Sequence, residues 1–172
     1  MAILPLQTYV LYRKLRAMKR LALTLFALLL TACATPTRPP EHAAAPSMNE
    51  VAIYAMSLAD TPYRYGGNSV ENGFDCSGFV QHVYLNTLGV RLPRTSHEMS
   101  RVGMDLETGQ LRPGDLVFFN TRKKPFSHVG IYVGEERFVH SPSSGRAIMV
   151  TSMREDYWRS RYNGARRVTS AD

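Results

Sequence analysis

The chain reads as an α+β domain, with N-terminal helices packed on a central antiparallel β-sheet. Two apolar stripes at helical spacing fill the first part of the domain, and short β-type runs bounded by turn residues fill the second. Ser47-Met48-Asn49-Glu50 has capping-box form, and Val51, Tyr54, Ala55 and Leu58 recur on one face, so a first helix begins at Ser47 and ends before Thr61-Pro62. The stretch YRYGGNSVENG that follows is loop, with Gly66-Gly67 and Asn72-Gly73 as turn signals. Phe79, Val80, Val83, Tyr84 and Leu88 form the second stripe, which Gly89 closes. Asp75 is its natural N-cap, so Cys76 falls in the first helical turn. Thr95 to Glu98 repeats the capping-box pattern and opens a short helix that ends by Gly103. From Leu116 the pattern turns to strands: Leu116 to Phe119, His128 to Val133, Phe138 to His140 and Ala147 to Val150. No internal repeat is visible.

The first 46 residues lie outside this domain. Leu21 to Leu30 is an apolar run broken only by Thr24 and preceded by Arg13, Lys14, Arg16, Lys19 and Arg20 with no acid, the layout of a secretory signal over residues 1–32. A run of ten residues is too short to span a bilayer comfortably. Met18, directly before Lys19-Arg20, is an alternative start. Leu30-Thr31-Ala32-Cys33 resembles a bacterial lipobox, which implies cleavage before Cys33 and lipid attachment there. Ala34 at the next position then points to the outer membrane of a Gram-negative cell, with the domain facing the periplasm. Residues 34–46, rich in Pro and Ala, read as a tether that reaches roughly 45 Å at about 3.3–3.6 Å per residue. The domain therefore spans 47–172 and works close to the membrane.

Charge and cysteine content narrow the classes. Cleavage removes five basic residues and no acid, taking the formal net charge from +7 to +2, so the high pI belongs mostly to the targeting segment and nucleic acid is not the expected partner. Of the two cysteines, Cys33 is assigned to lipid, which leaves Cys76 without a disulfide partner in an oxidising compartment.

Cys76 sits in Asp75-Cys76-Ser77-Gly78, where the positive end of a helix dipole and free first-turn N–H groups favour a thiolate and could hold an oxyanion. Gly78 is expected to leave the first turn open to an approaching substrate. A reactive thiol also wants an imidazole. Of the five histidines, His42 lies in the tether, and His82 and His97 read as solvated surface residues. His128 and His140 flank one hairpin: with a three-residue connection, Gly134-Glu135-Glu136, Val133 pairs with Arg137 and His140 falls opposite Gly130. The two histidines then share a face, whereas a two-residue loop would put them on opposite faces. Chemistry alone leaves three possibilities for Cys76, His128 and His140: a nucleophile with a base and its orienting group, a three-ligand zinc site, or packed core residues.

Four successive stretches carry a resemblance. Asp75-Cys76-Ser77-Gly78-Phe79-Val80, Leu111 to Phe118 (LRPGDLVF), His128 to Gly134 (HVGIYVG) and Phe138-Val139-His140 are similar, in order and spacing, to the motifs of the NlpC family of papain-like cell-wall cysteine peptidases. The tail from Tyr157 to Val168 adds a likeness to its lipoprotein murein endopeptidases. The resemblance implies a papain-like fold, with Cys76 as nucleophile, His128 as general base and acid, and His140 as the residue that orients His128. It also implies that Tyr63 helps bind the oxyanion, with Tyr65 as the alternative. The implied substrate is peptidoglycan, cut at the crosslink between D-alanine and meso-diaminopimelate or, as elsewhere in the family, between γ-D-glutamate and meso-diaminopimelate. A non-catalytic peptidoglycan-binding lipoprotein and an acyltransferase are the competing classes. No metal or organic cofactor is called for, and a monomer is expected. Asp75, Ser77 and Asp115 read as capping and turn residues, and Trp158 as a residue that closes the core.

Overall fold

The computed structural model describes Arg16, residues 47–142 and residues 145–170. The expected signal segment apart from Arg16, Cys33 and the tether with His42 lie outside the described residues. Among the described residues no helix is long and apolar enough to cross a membrane.

Helix α1 (Met48–Ser57) begins at a complete capping box, in which the Ser47 N–H donates to Glu50 Oε2 at 2.9 Å and the Glu50 N–H donates to Ser47 Oγ at 3.4 Å. The loop that follows contains a two-stranded ribbon, β1 (Asn68–Ser69) and β2 (Gly73–Phe74). Helix α2 (Cys76–Leu88) starts at Asp75, whose side chain accepts from the Gly78 N–H, and ends at Gly89 in the left-handed conformation. Thr95 caps α3 (Ser96–Met99) through a second capping box; this helix ends at Ser100, short of Gly103.

The chain then builds one six-stranded antiparallel sheet from β3 (Met104–Leu106), β4 (Leu116–Phe119), β5 (His128–Gly134), β6 (Arg137–His140), β7 (Met149–Ser152) and β8 (Tyr162–Arg167). A short α4 (Asp156–Arg159) precedes β8, and the spatial order is β3-β8-β4-β5-β6-β7. Strands β3 and β8 were not expected. The only fully buried side chain of β8 is Ala165, and the strand is held instead by its arginines, Arg166 on Asp105 and Arg167 on Asp115. A strand stabilised by ion pairs carries no apolar alternation to betray it.

Both faces of the sheet are covered. Leu116, Phe118, Val129, Ile131 and Val139 pack against α1 and α2 through Val51, Ala55, Phe79, Val80 and Val83. Val117, Phe119, Tyr132 and Phe138 face the other way, against Trp158, Met153 and Leu106. Helices α1 and α2 lie on one side of the sheet as expected, whereas the short α4 covers the other face, where its Trp158 closes the second core at 9% exposure.

The β5–β6 hairpin reaches the expected register by a different turn. Glu135 and Glu136 form a two-residue connection with φ of 53° and 52°, and Gly134 pairs with Arg137. A bulge between Tyr132 and Gly134 leaves Val133 as the extra residue, so Tyr132 still pairs with Phe138 and Ile131 with Val139. One step further, Gly130 lies beside His140. A Cβ there would stand 2.6 Å from the Phe138 ring and 3.2 Å from the His140 Cβ, which explains the glycine.

Candidate active site

Cys76 is the first residue of α2 and is a free cysteine, partly exposed. Its setting is fixed by Asp75. Oδ1 of Asp75 accepts from the Gly78 N–H (2.7 Å) and Arg94 Nη1 (3.0 Å), and Oδ2 accepts from Arg94 Nη2 (2.6 Å) and the Gly66 N–H (3.1 Å). Arg94 Nη1 also donates to Ser77 Oγ at 2.8 Å. Gly78 does not open the turn to substrate as expected: a Cβ there would stand 2.1 Å from the Gly67 carbonyl oxygen, which accepts from the Asp75 N–H. The glycine lets the loop backbone touch the helix, so the loop carrying Tyr63 and the turn carrying Cys76 are joined. Two further links hold the same junction, the Tyr63 to Phe74 bridge and a 2.7 Å hydrogen bond from Ser141 Oγ to the Phe74 carbonyl.

His128 opens β5 and His140 ends β6, both buried. The rings meet edge-on, with His128 Nε2 at 2.9 Å from His140 Nδ1, and His140 Nε2 lies 3.1 Å from Thr151 Oγ1 on β7. With Nε2 taken, Nδ1 is the nitrogen His128 can offer to the cavity it shares with Cys76. For that nitrogen to act as a base, His128 must donate from Nε2 to His140, and His140 must donate from its own Nε2 to Thr151. His128 Nε2 and both ring nitrogens of His140 are thus engaged in a hydrogen-bonded relay, with His128 Nδ1 left for the cavity; among the described residues no cluster of His, Cys, Asp and Glu is arranged to hold a metal. Trp158 packs edge-on against His140, with ring centroids 4.9 Å apart, and lies 5.5 Å from His128.

Electrostatics modify the expected thiolate. Burial, with the Asp75 carboxylate behind it, pushes the Cys76 thiol up; N–H groups of Val129 and Ser77 and the Arg122 guanidinium pull the other way without cancelling it. Burial, aided by Arg122, pushes His128 down to about 4, and burial together with His128 pushes His140 down as well. Burial therefore favours the uncharged form of both groups, thiol and neutral imidazole. Burial alone would raise the Asp75 carboxyl, but hydrogen bonds from Arg94 and the Gly78 N–H hold it below the usual carboxylate range.

The depressed histidines link stability to pH. The unfolded chain binds protons at His128 below about pH 6.5 while the folded chain does not until about 4, so stability falls with pH across that window. For His128 alone the expected loss between pH 7 and pH 5 is about 2 kcal/mol. Urea unfolding at the two pH values checks this; a His128→Gln variant should show a flatter dependence, and equal slopes would contradict it.

The structure brings Cys76, His128 and Tyr63 onto one cavity of about 290 Å³, with His140 behind His128. Tyr63 is half-buried there, and burial raises its hydroxyl, partly offset by Arg122. Tyr65 lines the same cavity but is 78% exposed, which favours Tyr63. A second cavity of about 560 Å³, also lined by His128, includes Tyr157, Trp158 and Arg146. His82 is only partly exposed: its Nε2 lies 3.1 Å from the Tyr54 hydroxyl and its ring packs on Phe74. His97 stays exposed beside Arg101. Sequence reasoning missed Thr151, Arg94 and Arg122. Only the register of β7 on β6 brings Thr151 to His140, and no local pattern marks it.

A family profile described as the NlpC/P60 family matches residues 60–167. The chain belongs to the NlpC/P60 family. Among curated relatives it is 47% identical over 116 residues to the murein DD-endopeptidase MepH of Escherichia coli K12, covering 66% of this chain and 43% of that one. It is 39% identical over 128 residues to a gamma-DL-glutamyl hydrolase of Bacillus subtilis, covering 73% of this chain and 31% of that one. The chain thus spans less than half the length of either relative. A crystal structure of an NlpC/P60 family protein from Bacillus cereus superposes with a TM-score of 0.67 at 32% identity, covering 72% of this chain and 40% of that one. The expected papain-like α+β architecture is therefore the observed one. Cys76, Tyr63, His128 and His140 all lie inside the matched range.

Proposed function

We propose that this NlpC/P60 protein is a peptidoglycan endopeptidase that cuts through a Cys76 thioester. The observation that carries the proposal is the partly exposed Cys76 facing a cavity shared with His128, whose far nitrogen is engaged by His140. Cys76 Sγ attacks the peptide carbonyl carbon as its proton passes to His128 Nδ1. The Cys76 N–H, which has no acceptor in the first helical turn, and the Tyr63 hydroxyl receive the oxyanion. The C–N bond then breaks, and His128 returns its proton to the leaving amine. Water attacks the thioester, giving its proton to His128, and the acid departs as the thiol re-forms. His140 and Thr151 hold His128 in the tautomer that this cycle needs.

Similarity to the E. coli DD-endopeptidase favours the D-alanine to meso-diaminopimelate crosslink, and similarity to the gamma-DL-glutamyl hydrolase supports a γ-glutamyl bond as the second reading. We propose too that lipid on Cys33 holds the domain on the periplasmic face of the outer membrane, on the strength of the apolar run and the lipobox resemblance. Digestion of purified crosslinked peptidoglycan, beside Cys76→Ala and with fragments read by mass spectrometry, tests the activity. Conversion of crosslinked dimers to monomers by the wild type alone names the bond. Unchanged sacculi, with binding intact, would favour a binding module.

The oxyanion assignment has its own test. Tyr63→Phe is expected to lower kcat about a hundredfold with little change in KM. Tyr65→Phe should cost far less, and the reverse order would transfer the role to Tyr65.

A further inference from the structure

Arg122 stands on the rim of the cavity that Cys76 and His128 share, in the connection between β4 and β5. Its backbone is fixed there: Ser127 Oγ accepts from the N–H groups of Thr121 (3.0 Å) and Arg122 (3.1 Å), and the Phe126 N–H donates to Asn163 Oδ1 (3.1 Å). Three ionic side chains line the cavity besides Cys76 and His128: Asp75, Arg94 and Arg122. Asp75 and Arg94 neutralise each other in a two-armed pair, and the remaining acceptor capacity of Asp75 goes to the Gly66 and Gly78 N–H groups and to Ser77 Oγ. Little is left there to receive a substrate ammonium. Arg122, by contrast, takes part in no ion pair among the described residues. It lines the same cavity as the reacting groups, where its positive charge favours the ionised Tyr63 hydroxyl and Cys76 thiol and the neutral His128 ring.

We propose that Arg122 is a specificity-determining residue that binds a carboxylate of the substrate beside the scissile bond. The proposal rests on the peptidase function and adds what the site selects: a peptide with a free carboxylate flanking the cleaved amide, in preference to the amidated form. A planar guanidinium suits a carboxylate because it can donate two parallel hydrogen bonds. Neutralising Arg122 also removes a nearby positive charge from His128, which makes that imidazole a stronger base once substrate is in place.

Two arms test the proposal on the purified chain. The first needs no hydrolysis: the rate of Cys76 alkylation by iodoacetate is divided by that by iodoacetamide, following the Cys76 peptide by mass spectrometry. Arg122→Gln should lower the ratio about fivefold and Arg122→Lys should largely preserve it, and 0.5 M salt should lower the wild-type ratio too, since the cation is exposed. An unchanged ratio in Arg122→Gln overturns the proposal. The second arm compares crosslinked peptides that carry the flanking carboxylate free or amidated. The wild type should prefer the free acid about tenfold, mainly through KM, and Arg122→Gln should lose that preference. Equal cleavage by the wild type, or a preference that survives in Arg122→Gln, overturns the proposal. If the wild type cleaves neither peptide while the alkylation ratio tracks Arg122, the peptidase function fails and the carboxylate site stands.

Discussion

Cys76→Ala is expected to lower kcat/KM for peptide cleavage by about four orders of magnitude or more, with folding stability within about 1 kcal/mol of wild type. The loss is large because nucleophile and base act as one unit: without the sulfur there is no thioester, and His128 has no proton to receive from it. The stability cost is small because Cys76 lines an open cavity at the start of a helix, so removing its sulfur enlarges that cavity and seals off no new one. Steady-state kinetics on a crosslinked muropeptide, paired with urea unfolding, separates the two effects. Residual activity above about one per cent of wild type would remove Cys76 from the nucleophile role.

Asp115→Ala should be among the most destabilising single changes away from the active site, at about 3–5 kcal/mol. Asp115 is fully buried and accepts from Arg167 Nε at 2.8 Å, from Arg167 Nη2 at 2.7 Å and from the Arg112 N–H at 2.7 Å. Truncation strands the largely buried guanidinium of Arg167 and releases the turn before β4 at the same time. The double variant Asp115→Ala with Arg167→Met should be less destabilised than Asp115→Ala alone, because the orphan charge is gone. Urea midpoints of the three proteins decide it, and a single-variant loss below about 1 kcal/mol would show that the pair contributes little. Asp115 is a turn residue as expected from Pro113-Gly114-Asp115, and it is also the anchor of a strand that sequence reasoning did not find.

Helices α1, α2 and α3, their caps and four of the strands were legible because each rests on local chemistry, whereas α4 has no side-chain cap to mark its start. Ser47, Asp75 and Thr95 sit beside the first-turn N–H groups they satisfy, and Leu116 to Phe119 is apolar because both faces of β4 are buried. Strand β8 was hidden because its partners are distant in sequence, with Arg166 reaching back to Asp105 and Arg167 to Asp115. The site divides the same way. Cys76 is readable from its cap, and the His128 and His140 pair from hairpin spacing. Thr151 depends on a third strand, Arg94 on a fold-back to the α2 N-terminus, and Arg122 on which loop closes over the cavity. Burial opposes the expected thiolate for a related reason: a helix dipole can be read from a motif, whereas burial of the sulfur and imidazole is a property of the assembled fold.

The unpaired Val133 makes the imidazole pair a matter of odd and even numbers. Twelve positions separate His128 from His140, and a regular hairpin closed by Glu135-Glu136 would pair His140 with Ile131, turning the two rings to opposite sides of the sheet. The bulge skips one position and restores the phase. Turn variants of this hairpin are therefore constrained by parity more than by length: two added residues can leave the relay whole, whereas one added residue must be absorbed by a bulge of its own.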